Sequence, residues 1–295
     1  MTPSTTVPLD SAGQLIGNIT TQLTAQLRAM SPPLQERGAD GTGRPPTLVA
    51  VAHGSRHPAA AGAVRELVAA VRALSPGLDV RLGHIELSEP LLADTLAALS
   101  GEVVLVPLLF SRGYHVRHDL PAALAAAGPR VRGTVAAPLG PHPLLAEALH
   151  GRLVEAGWRA GSRARAGAGA GHAGSERAGA RDAVVLAAAG SRARASAVDI
   201  RRTADLLSER LGGVPVAPAY ASGDGPRMAD TLRRLRATGA RRIAVASCFA
   251  APGLFADRIR AEAPGLAAEP LAAHPALARL VLARYHAAVA SRAIS

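Results

Sequence analysis

From Thr47 onward the apolar positions follow two alternating patterns. Continuous apolar runs at Thr47–Ala52, Leu78–Ile85, Val103–Leu109 and Val131–Ala136 predict strands. Longer stretches at Ala59–Leu74, Pro90–Leu99 and Pro143–Trp158 predict helices, the last closing the unit. Strands apolar along their whole length, with helices between them, require a parallel sheet covered on both faces.

A second segment repeats this pattern. Gly54-Ser55-Arg56 recurs as Gly190-Ser191-Arg192, and Ala93-Asp94-Thr95-Leu96 as Ala229-Asp230-Thr231-Leu232, both at a shift of 136 residues. Pro138-Leu139 with His142-Pro143 returns as Pro270-Leu271 with His274-Pro275 at a shift of 132. Three matches in order indicate a tandem duplication. Residues 1–46 are rich in Ser, Thr, Pro and Gly, with one weakly amphipathic stretch at Gln14–Met30, and residues 161–181 are mostly Gly, Ala, Ser and Arg. The expected organisation is a flexible tail (1–46), a first lobe (47–160), a linker (161–181) and a degenerate second lobe (182–295). The predicted class is α/β: two tandem lobes, each a small parallel sheet flanked by helices, with a cleft between them.

Composition narrows the function. Hydrophobic residues are 48% of the chain but aromatics only 2%, so Ala, Val and Leu must build the core and stacking platforms for bases are scarce. All 33 basic residues are Arg and the net charge is +11, which suits an anionic ligand as well as a solvated surface. Nucleic acid is not expected, since charge alone speaks for it. The single cysteine, Cys248, excludes an intrachain disulfide framework or a cysteine-held cluster and fits a cytoplasmic setting. No apolar run has the length of a membrane span.

In an open parallel sheet, ligands sit beyond the carboxyl ends of the strands. His53 follows the first strand, Glu86 ends the second and His115 follows the third. Two imidazoles and a carboxylate suit a borderline divalent cation and leave coordination positions open. The duplication supplies an internal control. Ala189, Ser222 and Phe255 stand opposite His53, Glu86 and His115, so the three polar groups are confined to one lobe and point to a site instead of a scaffold. The Gly-Ser-Arg turn survives in both lobes, which favours a structural or substrate-holding role. The duplicated His142 and His274 are expected to cap or pack the start of the last helix of each repeat, and Cys248 to pack as a small apolar residue.

Val51-Ala52-His53-Gly54-Ser55-Arg56, Glu86-Leu87-Ser88-Glu89-Pro90, and Val106-Pro107-Leu108-Leu109 followed by His115-Val116-Arg117-His118-Asp119-Leu120-Pro121 resemble the sirohydrochlorin chelatases of the CbiX and SirB type, the class II chelatases. The resemblance covers 47–158 strongly and 182–290 weakly. It implies a tetrapyrrole held between two lobes, with metal ligands at His53, Glu86 and His115, which also serve as the catalytic groups that hold the metal and accept protons. The anionic sirohydrochlorin would meet Arg56, Arg112, Arg117 and Arg192 through its carboxylates. Ser55 would hold it, Tyr114 would wall the cleft, His118 would support the ligands and Asp119 would cap the following helix. The implied reaction is insertion of Fe²⁺ in sirohaem biosynthesis. Co²⁺ for cobalamin, Ni²⁺, or a carrier that binds without inserting are the alternatives. The metal is then a substrate, with no permanent cofactor and no membrane partner, and the duplicated chain is expected to work as a monomer. The chain lacks the His-rich tail and cysteine cluster of the family's metal-rich variants, so no accessory metal store is expected.

Overall fold

The computed structural model describes residues 44–159 and 181–292; the expected tail up to residue 43 and the expected linker up to residue 180 lie outside them. The first repeat runs β1 (Thr47–Ala52), α1 (Ala60–Leu74), β2 (Val80–His84), α2 (Leu92–Ala97), β3 (Gly101–Pro107), a wide helical turn (His115–Asp119) leading into α3 (Leu120–Ala126), β4 (Val131–Val135) and α4 (Pro143–Glu155). The second runs β5 (Arg181–Ala188), α5 (Arg194–Arg210), β6 (Val216–Tyr220), α6 (Met228–Ala237), β7 (Ala240–Ser247), α7 (Leu254–Ala261) and α8 (Pro275–Arg292).

Both sheets are wholly parallel, ordered β2-β1-β3-β4 and β6-β5-β7. This is the α/β fold with duplicated lobes that the patterning predicts. The central strands carry no polar face: Leu48 to Val51 and Val103 to Val106 are fully buried, because helices cover the sheet on both sides. Where the first repeat forms β4, the second keeps a single bridge between Val245 and Ala267. The registers pair Ala52 with His84 and Val51 with Pro107, so the chain leaves β1, β2 and β3 at neighbouring points of one edge.

Packing departs from chain order at the closing helices. α4 lies against β7 and α5 of the second repeat, α8 lies against β3 and α1 of the first, and α4 and α8 pack on each other. The two exchanges match residue for residue. Arg152 on α4 donates to the Leu271 carbonyl at 2.9 Å, and Arg284 on α8 donates to the Leu139 carbonyl at 3.3 Å, both pairs being related by the 132-residue shift. Glu147 and Arg279, themselves equivalent positions, pair with each other where α4 crosses α8. The Tyr285 hydroxyl, just past the middle of α8, reaches the Pro46 carbonyl at 2.7 Å, just before β1. One apolar cluster therefore runs unbroken from Leu48, Val104 and Val106 through Leu145, Leu149 and Tyr285 to Val184, Leu186 and Ala246. Smaller clusters close the two outer faces.

Candidate active site

The turn after β1 is built around Gly54, at φ +99°, where a Cβ would lie 1.6 Å from the Glu86 carbonyl oxygen. Only glycine permits that approach. It lets the ends of β1 and β2 lie side by side, joined by Ile85 N–H to the Ala52 carbonyl at 2.9 Å and Glu86 N–H to the His53 carbonyl at 3.0 Å. The Ser88 hydroxyl completes the lacing: it accepts from Ser55 N–H at 3.1 Å and donates to the Ser55 carbonyl at 3.2 Å. His53 Nδ1 thereby comes to lie 3.6 Å from Glu86 Oε1, with both side chains about half exposed. The second lobe has the same backbone arrangement, Gly190 at φ +90° with a Cβ position 2.0 Å from the Ser222 carbonyl oxygen, but without the functional side chains.

The third residue arrives from the loop after β3. His115 opens the wide helical turn, and its ring lies edge-to-face with that of His53, centroids 4.7 Å apart. Four residues on, the Asp119 carboxylate binds His115 Nδ1 at 2.5 Å. A carboxylate accepts, so Nδ1 carries the proton and Nε2 keeps its lone pair for a metal or a proton. Asp119 makes no capping bond to α3, so its expected role as a helix cap gives way to that of orienting His115. His118 does not support the ligands either. It lies against Tyr114, four residues earlier, ring centroids 4.7 Å apart, the same spacing that brings Asp119 to His115. Ser88 and Asp119 are the functional partners that sequence reading missed. The spacing His115-x-x-x-Asp119 was the available signal.

His53, Glu86 and His115 are thus neighbours at one rim. Among the described residues no group of three or more His, Cys, Asp or Glu side chains is placed to hold a metal ion as it stands, these three included. The cluster is open and half-solvated, as suits an ion that must arrive and leave. A cavity of about 660 Å³ along β2, lined by Arg65, Arg72, Arg81 and Leu99, lies apart from it and shares none of its residues.

The remaining site residues divide. Arg56, Arg117 and Arg192 are exposed and, among the described residues, their side chains make no hydrogen bond or ion pair, so their guanidinium groups are available to an anion. Tyr114 is exposed beside His115. Ser55 turns inward on its own loop, its hydroxyl accepting from His57 N–H at 3.1 Å, and Ser191 does the same for Ala193 N–H at 3.1 Å, so the same local bond holds the shared turn in both lobes. Arg112 has a partner other than the expected substrate carboxylate: its guanidinium grips the fully buried Asp199 on α5 at 2.6 and 3.0 Å, and its backbone N–H reaches the same carboxylate at 2.8 Å. Asp199 holds the Arg112 guanidinium above its usual range, first through the hydrogen bond and then through its charge. Beside this pair the Ser111 and Ser196 hydroxyls meet at 2.7 Å. The second lobe thus anchors the loop that carries His115.

The duplicated histidines cap, as the repeat implied. His142 Nδ1 accepts from Leu144 N–H at 3.1 Å and His274 Nδ1 from Ala276 N–H at 3.2 Å. Burial, then the nearby Arg284 or Arg152, depresses their pKa values. Cys248 packs in the core just beyond β7, its thiol pushed up to about 12 by burial.

The fold and the rim cluster define a two-lobed α/β protein with a single-lobe histidine and carboxylate site, a class with known relatives. Residues 47–156 and 183–288 both match the CbiX family, and the chain belongs to that family. A sirohydrochlorin cobaltochelatase from Methanococcoides burtonii is 28% identical over 123 residues, which are 37% of this chain and 94% of that relative. A second, from Methanosarcina acetivorans, is also 28% identical over 123 residues, covering 95% of it. Among solved structures, SirB from Bacillus subtilis with Fe³⁺ superposes with a TM-score of 0.64 at 19% identity, covering 84% of this chain and 97% of SirB. CbiX, the terminal enzyme for siroheme biosynthesis in denitrifying bacteria, superposes with a TM-score of 0.57 at 22% identity over 82% of this chain and 99% of its own. At such identities these structures bear on the fold alone. Among the described residues no helix is long and apolar enough to cross a membrane.

Proposed function

We propose that this chain inserts a divalent metal into sirohydrochlorin, with His53, Glu86 and His115 as the groups that receive the metal and take up the displaced protons. The observation that carries the reading is the pairing of His53 with Glu86 and His115 at a single rim, with Asp119 fixing the His115 tautomer. Family membership and relatives named as sirohydrochlorin cobaltochelatases support it.

The chemistry is a balanced exchange. Two pyrrole N–H bonds break, their protons pass to bases, and the divalent ion forms bonds to the ring nitrogens with no change of oxidation state. His115 Nε2 and His53 hold the ion loosely, and Glu86 beside His53 accepts a proton or relays it to water. Arg56, Arg117 and Arg192 are free to pair with the carboxylate periphery of the macrocycle. The metal is read as Fe²⁺, for sirohaem. Co²⁺ is the second reading, favoured by the names of the curated relatives. Mixing the purified protein with sirohydrochlorin and Fe²⁺, Co²⁺ or Ni²⁺ under anaerobic conditions, and following the absorption spectrum, tests the activity and ranks the metals. Binding of the macrocycle with no acceleration of insertion for any metal would make it a carrier and overturn the proposal.

A further inference from the structure

Among the described residues, four of the six exposed large apolar side chains stand on the loops or helix starts that follow strands: Leu87 after β2, Tyr114 after β3, and Leu254 and Phe255 after β7, at 47, 64, 70 and 39% exposure. The two lobes bring them to one region. Gly253, next to Leu254, has its Cβ position 3.6 Å from the Ser55 hydroxyl in the turn after His53, and Gly113, next to Tyr114, has its own 3.7 Å from the Ser191 hydroxyl. Leu87 and Tyr114 are the immediate chain neighbours of Glu86 and His115.

Leu87 has a further peculiarity. It is held at φ +64°, a left-handed conformation in which the Cβ of an L residue crowds the following carbonyl oxygen. The equivalent residue in the second lobe is Gly223, at φ +73°, which takes the same conformation without strain. A Cβ at Gly223 would lie 3.0 Å from the Ser191 backbone nitrogen, so the second lobe has closed over a position that the first keeps open for a side chain. Leu87 is half exposed and belongs to none of the core clusters, so its strain is not offset by interior packing. Such strain at a functional edge is retained where something outside the chain uses the residue.

We infer that Leu87 is a substrate-contacting, specificity-determining residue: with Tyr114 it forms an apolar lip beside the metal-receiving cluster, against which the flat face of the macrocycle rests while the surrounding arginines hold its carboxylates. The inference rests on the tetrapyrrole reading above and assigns that ligand its apolar contact. An anionic ring gains affinity from guanidinium groups at its edge, but orientation over His53 and His115 requires a surface that meets its face.

The test is Leu87→Gly, with Leu87→Met alongside it. Sirohydrochlorin affinity is measured by absorption titration, Co²⁺ affinity is measured without the macrocycle, and thermal stability is followed by circular dichroism. Leu87→Gly should bind sirohydrochlorin about five- to tenfold more weakly, the loss expected for a partly buried leucine contact. Its melting temperature should equal or exceed that of the unaltered chain, and its Co²⁺ affinity should not change. Leu87→Met should restore macrocycle binding. Unaltered sirohydrochlorin affinity in Leu87→Gly would overturn the lip. A parallel fall in Co²⁺ affinity would do so too, by showing that Leu87 acts only by placing Glu86, and a lower melting temperature would show that it serves the fold. Failure of the unaltered chain to bind sirohydrochlorin at all would overturn the tetrapyrrole reading itself.

Discussion

Gly54 offers the most direct test of how the site is placed. In Gly54→Ala the new methyl would sit 1.6 Å from the Glu86 carbonyl oxygen and 2.8 Å from its carbon, at φ +99°. An ordinary carbon–oxygen contact needs about 3.2 Å, so the ends of β1 and β2 must part by roughly 1.5 Å, and the backbone strain adds about 1–3 kcal/mol. A total cost of about 3–4 kcal/mol corresponds to a fall in Tm of roughly 10 °C for a unit of this size. Glu86 moves with its carbonyl, and a displacement of about 1 Å at a reacting group costs on the order of 100-fold in rate. Gly190→Ala is the matched control: its Cβ would sit 2.0 Å from the Ser222 carbonyl oxygen at φ +90°, in a lobe without the site residues. Both variants should lose similar stability, but at a temperature where both are folded only Gly54→Ala should lose initial insertion rate. Equal rate losses, or a folded Gly54→Ala with a normal rate, would refute the argument.

Four further outcomes are expected. His53→Ala and His115→Ala should lower the initial insertion rate by orders of magnitude with unchanged circular dichroism, whereas Ser222→Ala, at the position equivalent to Glu86, should leave it near normal. Asp119→Ala should weaken metal affinity or insertion about 10- to 100-fold, because His115 loses the partner that fixes its tautomer; a Co²⁺ titration checks this. Asp199→Ala leaves Arg112 without its buried partner and should cost about 2–4 kcal/mol in urea denaturation, below the cost for a wholly buried pair because Arg112 is half exposed. Tm should fall on acidification: His142 and His274 have folded pKa values depressed below 6.5, so their contribution is complete above that pH and is lost as pH falls through the depressed values, when a protonated Nδ1 can no longer accept the cap bond. A Tm constant from pH 7 to 5 would contradict this.

The strands and helices were legible because the apolar runs that predict them are the ones the sheets bury: Val103 to Val106 could lie nowhere but between helices. The candidate cluster was legible as a grouping through the duplication: His53 and His115 have no polar counterpart at Ala189 and Phe255, and the structure brings His53, Glu86 and His115 to one rim. Two things were not legible. The Arg112–Asp199 pair joins positions 87 residues apart across two lobes, and no local pattern marks Asp199 as buried. The exchange of closing helices was hidden because α4 and α8 carry equivalent apolar faces, and either sheet would satisfy either helix. The role of Asp119 was readable in its four-residue spacing from His115 but required the turn there to be helical, which the preceding Gly113-Tyr114 does not announce.

The exchange of α4 and α8 bears on how such a molecule copes with dilution. The Methanococcoides relative is about one lobe long, since the 123 matched residues span 94% of it. A lobe of that length with the same packing would have to borrow its closing helix from a second molecule, and its folding would then depend on protein concentration. Joining the halves in one chain makes each helix a permanent neighbour at an effective concentration in the millimolar range, so the shared core forms in a unimolecular step. It also frees the halves to differ. In a symmetric pair any change at the Glu86 position would appear twice, whereas here Glu86 and Ser222 have diverged, and one half has become the anchor for the other's His115 loop.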